Sequence, residues 1–261
     1  MRFCDWAYQN GWYFFLYAFA GWAAEVLFAA FRHGRFVNRG FLCGPLCPIY
    51  GIGLVLVALL LEPLGNHWVQ LFLVAAALTT GVELVAGYLM EKLFHHRWWD
   101  YSAMPLNIGG YVCLPFSLLW GAACVLIEKV VHPLVVRFVA WMPHGLGAVL
   151  LIAFAALFVA DIIVSVLSVI RLNRRLAELD AARQRLRLVV SDALGAQLAG
   201  GALRAKGRLG LLERRLLAAF PHMRSLRHAD ALAALTAHQR RLHERWKALG
   251  AARSKARRSK Q

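Results

Sequence analysis

The chain has 261 residues, of which 60% are hydrophobic and only 17% charged, against about a quarter charged in an ordinary soluble domain. Its formal net charge of +16 is distributed unevenly: up to residue 170, Arg2, Arg32, Arg35, Arg39, Lys92, Arg97, Lys129 and Arg137 are balanced by Asp5, Glu25, Glu62, Glu83, Glu91, Asp100, Glu128 and Asp161, so the whole excess falls beyond residue 170. This excludes an ordinary soluble domain and divides the chain into an apolar, neutral region, 1–170, and a strongly basic one, 171–261.

Five apolar segments are long enough to cross about 30 Å of hydrocarbon at 1.5 Å per residue. In chain order they are Trp12–Phe31, Cys43–Leu61, Trp68–Met90, Gly109–Ile127 and Gly145–Ile170. Trp12, Tyr13, Trp68, Trp98, Trp99 and Trp141 stand near their ends, where amphipathic rings anchor at the membrane interface. The fold class expected is therefore all-α: a polytopic transmembrane bundle with a basic helical tail. In the second segment, Gly44-Pro45 and Gly51/Gly53 leave open a re-entrant course in place of a full crossing.

Loop charge sets the orientation. The first loop, Arg32–Phe41, carries three Arg and the third, Glu91–Ile108, carries Lys92 and Arg97. The second, Glu62–His67, has neither Lys nor Arg, and a fourth loop is expected to hold Lys129 and Arg137. With the tail on the same side as the first and third loops, the asymmetry places the protein in the cytoplasmic membrane, N-terminus outside and C-terminus cytoplasmic. The first apolar stretch contains Glu25 and lacks an A-x-A-like site, so it does not read as a signal peptide.

The tail reads as helices. Leu172, Leu176, Leu179 and Leu186 continue the fifth span at helical spacing, Gly200-Gly201 breaks the pattern, and Leu209–Phe220 is a short amphipathic helix ended by Pro221. Leu235, Leu242 and Leu249 recur every seven residues near Trp246, too briefly for a coiled coil, and Arg253–Gln261 is a solvated basic run. A polybasic tail beneath a membrane fits anionic lipid or a partner protein better than nucleic acid.

Carboxyls inside spans are costly and mark candidate sites. Glu25, Glu83 and Asp161 all fall a few turns before the cytoplasmic ends of spans one, three and five, each on a face of small or hydroxyl residues. Glu25 and Glu83 are candidates for an acidic cavity, the alternative being that they are protonated, or paired with Arg35, Arg39 or Arg97, and only pin the bundle. Asp161 reads as structural. The two cytoplasmic loops supply Asn38, Arg39, Glu91, Trp99, Asp100, Tyr101 and Asn107 as further candidates, with Arg39 and Asp100 able to pair across them. Cys43 and Cys47 flank Gly44-Pro45 without the His or second Cys pair a metal set needs, so neither a metal nor a cofactor is expected. No nucleotide-binding motif and no complete catalytic constellation is present, which leans away from an enzyme.

In Gly21-Trp22-x-x-Glu25, Gly34-x-Phe36-Val37-Asn38-Arg39-Gly40-Phe41, Gly44-Pro45-x-Cys47-Pro48-x-Tyr50-Gly51, Glu83 with Met90-Glu91-Lys92-Leu93-Phe94, Trp99-Asp100-Tyr101-Ser102, Asn107 and the tail piece Ala219-Phe220-Pro221-His222-Met223-x-Ser225, the chain resembles the type IV ABC-transporter permease family. The resemblance implies a membrane-embedded permease or transport component and brings no catalytic residues; such a component needs a separate energising partner, an ATPase subunit, or an ion gradient. Two other functions fit the residues alone: an enzyme acting on a lipid-linked substrate at the cytoplasmic interface, and a non-catalytic scaffold acting through its tail.

Overall fold

Long apolar runs free of proline become the long helices of the bundle. The computed structural model describes residues 3–34, 36–61, 67–189, 210–238 and 241. Its helices are α1 (Phe3–His33), α2 (Pro48–Leu61), α3 (Trp68–Phe94), α4 (Leu114–Leu126), α5 (His132–Trp141), α6 (His144–Val189), α7 (Leu211–Ala219) and α8 (229–238). Four stretches are long and apolar enough to span a membrane: Phe3–Arg32, Trp68–Phe94, Leu114–Trp141 and His144–Ala182. Phe19, Leu73, Leu119, Ile152 and Leu157 point outward from them, half or more exposed, as side chains facing lipid do. The all-α membrane-bundle class is thus the observed one. Arg35, Gly200-Gly201, Leu242, Trp246, Leu249 and the terminal basic run lie outside the described residues.

Two of the expected spans differ. The fourth does not begin at Gly109, because Gly109 and Gly110, both at positive φ, turn the chain between two short strands, β2 (Asn107–Ile108) and β3 (Val112–Cys113). Nor does it end at Ile127. Pro133 has no N–H for the next turn, and the helix absorbs it with a π-turn over Ile127–Val131, in which the His132 N–H bonds to the Ile127 carbonyl. Lys129 and Arg137 therefore sit within a continuous helical stretch and not in a loop.

The second expected span is broken. Residues 36–47 form no helix, and α2 begins only at Pro48, because Pro45 and Pro48 lack N–H groups and bias the residues before them away from helical backbone. The 14 residues of α2 measure about 21 Å, short of a 30 Å hydrocarbon core. The missing depth is made up by the irregular segment before it. Gly34, in the left-handed conformation (φ 64°), ends α1, and the chain folds back along that helix. Trp22 Nε1 donates to Asn38 Oδ1 (2.9 Å), and the Cys47 N–H donates to the carbonyl of Ala18 (2.9 Å). About 22 Å of helix separate Ala18 from the end of α1, so residues 36–47 re-enter the bundle deeply.

Backbone at such depth must be paired within the protein. Asp161 of α6 accepts the N–H of Cys43 on one oxygen and that of Gly44 on the other, each at 2.8 Å. Ser165, one turn on, accepts from Cys43 as well (3.2 Å) and donates to Asp161 (3.3 Å). Asn38 holds the Cys43 carbonyl (2.8 Å) and the Gly40 N–H (3.1 Å). Gly44 carries no Cβ where one would stand 2.9 Å from the Asp161 carboxylate.

The tail closes the same end. α6 runs unbroken past residue 170, as the Leu172–Leu179 spacing predicts, and α7 forms where the amphipathic helix is expected. Val169, Leu172, Leu176 and Leu179 of α6 are buried together with Phe94, Trp98, Leu216, Met223, Leu232 and Leu235. A two-residue antiparallel ladder joins β1 (His96–Arg97) to β4 (Arg224–Ser225).

Asp161→Ala leaves the Gly44 N–H without its acceptor and the Cys43 N–H with Ser165 alone, at about 1–3 kcal/mol for the stranded group. The purified variant is expected to melt well below wild type in detergent, with Asp161→Asn, which keeps one acceptor, between them. Equal melting of all three would show that the re-entrant segment does not depend on this carboxylate.

Candidate functional site

The described residues place the sequence candidates in three groups. The first is a polar cluster inside the bundle. Glu25 of α1 accepts a hydrogen bond from the hydroxyl of Tyr50 on α2 (2.8 Å) and lies 3.6 Å from the Arg39 guanidinium. Glu83 of α3 is bonded to the hydroxyl of Tyr101, from the loop between α3 and α4, while its Oε2 is buried without a partner. Tyr50 and Tyr101 are electrostatic neighbours, both within reach of Glu25, and Cys47 shares the Glu25 field. Trp120 of α4 packs edge-on against Tyr50 (5.6 Å), and Phe116 stacks on Tyr101 (4.9 Å). Burial first, then the charge of Glu83, holds the Tyr101 phenol above its ordinary pKa, so it stays a hydrogen-bond donor.

Local sequence explains why these groups meet. Re-entry of residues 36–47 brings Arg39 beside the last turns of α1 and starts α2 so that Tyr50 faces Gly21. A Cβ on Gly21 would stand 2.3 Å from the Tyr50 ring, so the glycine one turn before Glu25 is the slot that admits the tyrosine. Arg39 thus pairs with Glu25 and not with Asp100, a pairing the loop positions suggested; Asp100 is engaged elsewhere.

The second group is a latch in the α3–α4 loop. Asp100 accepts the Ser102 N–H (3.0 Å) and hydroxyl (2.5 Å), and meets Arg224 of the tail (3.0 Å) and Arg97 (3.8 Å). The Ser102 bonds, then the two arginines, hold its carboxyl below the usual carboxylate range. Arg97 also bonds Glu91 (2.8 Å), which with the stack of charges keeps its guanidinium firmly protonated. Trp99 donates to the Tyr111 carbonyl (2.8 Å), and Asn107 ties the Ser102 and Met104 carbonyls (3.2 and 2.9 Å) to the Gly110 N–H (3.2 Å). These four candidates, Glu91, Trp99, Asp100 and Asn107, shape the loop that delivers Tyr101; they do not reach the cluster themselves.

The third group supports backbone: Asn38 and Asp161, already described. Sequence reasoning missed Tyr50, although it stands in the Gly44–Gly51 motif; the signal was the pairing of that motif with Gly21-x-x-x-Glu25. It also missed Arg215 of α7, whose guanidinium reaches the carbonyls of Gly40, Phe41 and Leu42 and the thiol of Cys43. Nothing in an Arg-rich tail distinguishes that one arginine. Among the described residues no group of three or more His, Cys, Asp or Glu could hold a metal ion.

The family described as "Putative ABC-transporter type IV" matches residues 12–166, from α1 to just beyond Asp161. No curated protein and no solved structure matches the chain.

Gly21→Ala forces the Tyr50 ring aside and should lower stability by about 1–3 kcal/mol, as overpacking does; Tyr50→Phe, which removes one hydrogen bond to Glu25, should cost about 1 kcal/mol. Because both act on one contact, thermal unfolding of the double variant is expected to show less than the sum. Strict additivity would mean that Gly21 does not position Tyr50.

Proposed function

Because the chain belongs to the type IV ABC-transporter family, matching it over more than half its length, we propose that it is the membrane-embedded permease component of such a transporter and works with a separate ATP-hydrolysing subunit. The observation that supports this most is the broken second crossing beside the Glu25–Tyr50 and Glu83–Tyr101 pairs. Irregular backbone at membrane depth, flanked by charged groups from several helices, is how transporters form a site that lipid cannot enter. Glu25 is neutralised by Arg39, which leaves Glu83 with one unpartnered oxygen as the acceptor a passing substrate would meet. Tyr101 hangs on a loop fixed to the tail through Asp100 and Arg224, so movement at that end can be passed to the cluster.

Loop charge supports an N-outside, C-cytoplasmic arrangement, with the re-entrant segment, the α3–α4 loop and the tail all on the cytoplasmic side, where an ATPase would bind. The chain offers no phosphate-binding glycine loop of its own.

Purification of the tagged full chain from native membranes is expected to bring with it a stoichiometric subunit that hydrolyses ATP. In that complex Glu83→Gln should lower ATP-driven turnover about tenfold, the size of one lost charged hydrogen bond, with assembly intact. Turnover of a lipid-linked substrate by the chain alone, or a chain that purifies from native membranes with no ATPase, would overturn the reading.

A further inference from the structure

Arg215 occupies an unusual position. Its Nη2 donates to the carbonyls of Gly40 and Leu42, and its Nη1 lies 3.4 Å from the Phe41 carbonyl and 3.5 Å from Cys43 Sγ. Among the described residues it forms no ion pair, and its Nε is buried without a hydrogen-bond partner. Asp161, which holds the Cys43 and Gly44 N–H groups of the same loop, acts on it as an opposing charge. Three consecutive carbonyls therefore face one guanidinium, two of them converging on Nη2 and the third on Nη1.

That donor set has a recognisable chemistry. Backbone carbonyls freed by a broken helix, backed by negative charge, take the place of water around a monovalent cation. For an arginine the set is incomplete: the fork geometry of a guanidinium is best matched by a carboxylate, and here one of its donors is left over. Burial disfavours the charged form of Arg215, against which Cys43 and Asp161 act.

The residue also arrives on a separable piece of structure. α7 is held to α6 by the Glu213–Arg175 ion pair (3.1 Å) and by Leu216 and Ala219, and to the α3–α4 loop by Phe220 against Trp98 (4.7 Å) and the two-residue β1–β4 ladder. Phe41 shares this packing through its ring, against Phe94 (5.5 Å) and Trp98 (5.4 Å), and not through its carbonyl. Withdrawal of α7 would leave the carbonyls of Gly40, Phe41 and Leu42 facing an open position.

We propose that the carbonyls of Gly40, Phe41 and Leu42 form a monovalent-cation site and that Arg215 fills it as a tethered occupant supplied by the chain's own tail. Tail docking and cation binding are then mutually exclusive. The site is distinct from the Glu25–Glu83 cluster and does not depend on the transport reading.

The test uses the full chain purified in detergent. Arg215→Ala, and Arg215→Met as a variant that keeps the apolar stem, vacate the position. Thermal unfolding is followed at constant ionic strength with guanidinium at low millimolar concentration, sodium, potassium, or N-methylglucamine as the bulky control. Both variants are expected to gain a saturable rise of a few degrees with at least one of the small cations, where wild type and the N-methylglucamine series show none. An equal response in wild type and variants, or one shared by N-methylglucamine, would overturn the proposal.

A second measurement does not remove Arg215. Glu213→Gln loosens α7 and should raise the alkylation rate of Cys43, read by mass spectrometry at that residue, severalfold over wild type. The effective small cation should slow it again. A Cys43 rate unmoved by cation in this variant would equally refute the site.

Discussion

A peptide group inside a bilayer has no water to bond, and residues 40–47 fold back into a bundle of membrane-spanning length without a helix to pair them. Each unsatisfied group would cost several kcal/mol, so the segment can exist only where side chains stand in for the missing turns. Asp161 takes the N–H groups of Cys43 and Gly44, Asn38 takes the Gly40 N–H and the Cys43 carbonyl, and the Ala18 carbonyl takes the Cys47 N–H. Arg215 takes the carbonyls of residues 40 to 42. Donors are thus met on one side of the loop by an anion and acceptors on the other by a cation, with the peptide dipoles between them aligned with both. The placement of α2, and of Tyr50 on it, follows from this one piece of accounting.

The polar cluster obeys the same economy with a different outcome. A carboxylate in a span is tolerable when a cation or a hydrogen-bond donor lies against it. Glu25 has both, in Arg39 and Tyr50, and its charge is spent within the protein. Among the described residues Glu83 has Tyr101, and one of its oxygens is left over. Two acids that look equivalent by depth and by their small-residue surroundings therefore differ in what they have left to offer. The difference arises because re-entry carries Arg39 to α1 and not to α3.

Much of this was legible in the sequence, for reasons that also explain the rest. Hydrophobic length found α1, α3 and α6, since no proline interrupts them. It placed the start of the second crossing at Cys43 when helix begins at Pro48, because hydropathy registers Leu46 and Cys47 as apolar but not the two prolines that forbid a helix there. The fourth segment was cut short by reading the charges Lys129 and Arg137 as a loop, although a π-turn lets the helix run through Pro133. Asp161 reads as structural because it stands where the bundle hands over to the tail, yet the N–H groups it accepts lie more than a hundred residues away, a distance over which spacing carries no information. For the same reason Arg39 and Asp100 looked like partners by loop position alone.

One face of α6 gathers these separate contacts. Asp161 and Ser165 hold the re-entrant segment, and Val169, Leu172 and Leu176 pack against Phe94, Trp98 and Leu216. Asn173 receives the His96 ring at 2.5 Å and donates to the Phe94 carbonyl (3.1 Å), and Asp180 meets His228 at 2.6 Å. His96 is fully buried, and burial lowers its pKa, so the neutral ring is the one that fits between α6 and β4. The composition of the chain changes sharply near residue 170, but this contact face does not: it advances by three or four residues per step from the membrane into the basic region. A shift of α6 along or about its axis would thus act at once on the backbone anchor at Gly44, on the loop that carries Tyr101, and on the segment that carries Arg215. The physical unit that holds the re-entrant segment is α6 together with the tail it supports, and a change imposed on the tail has a direct mechanical path to the centre of the bundle.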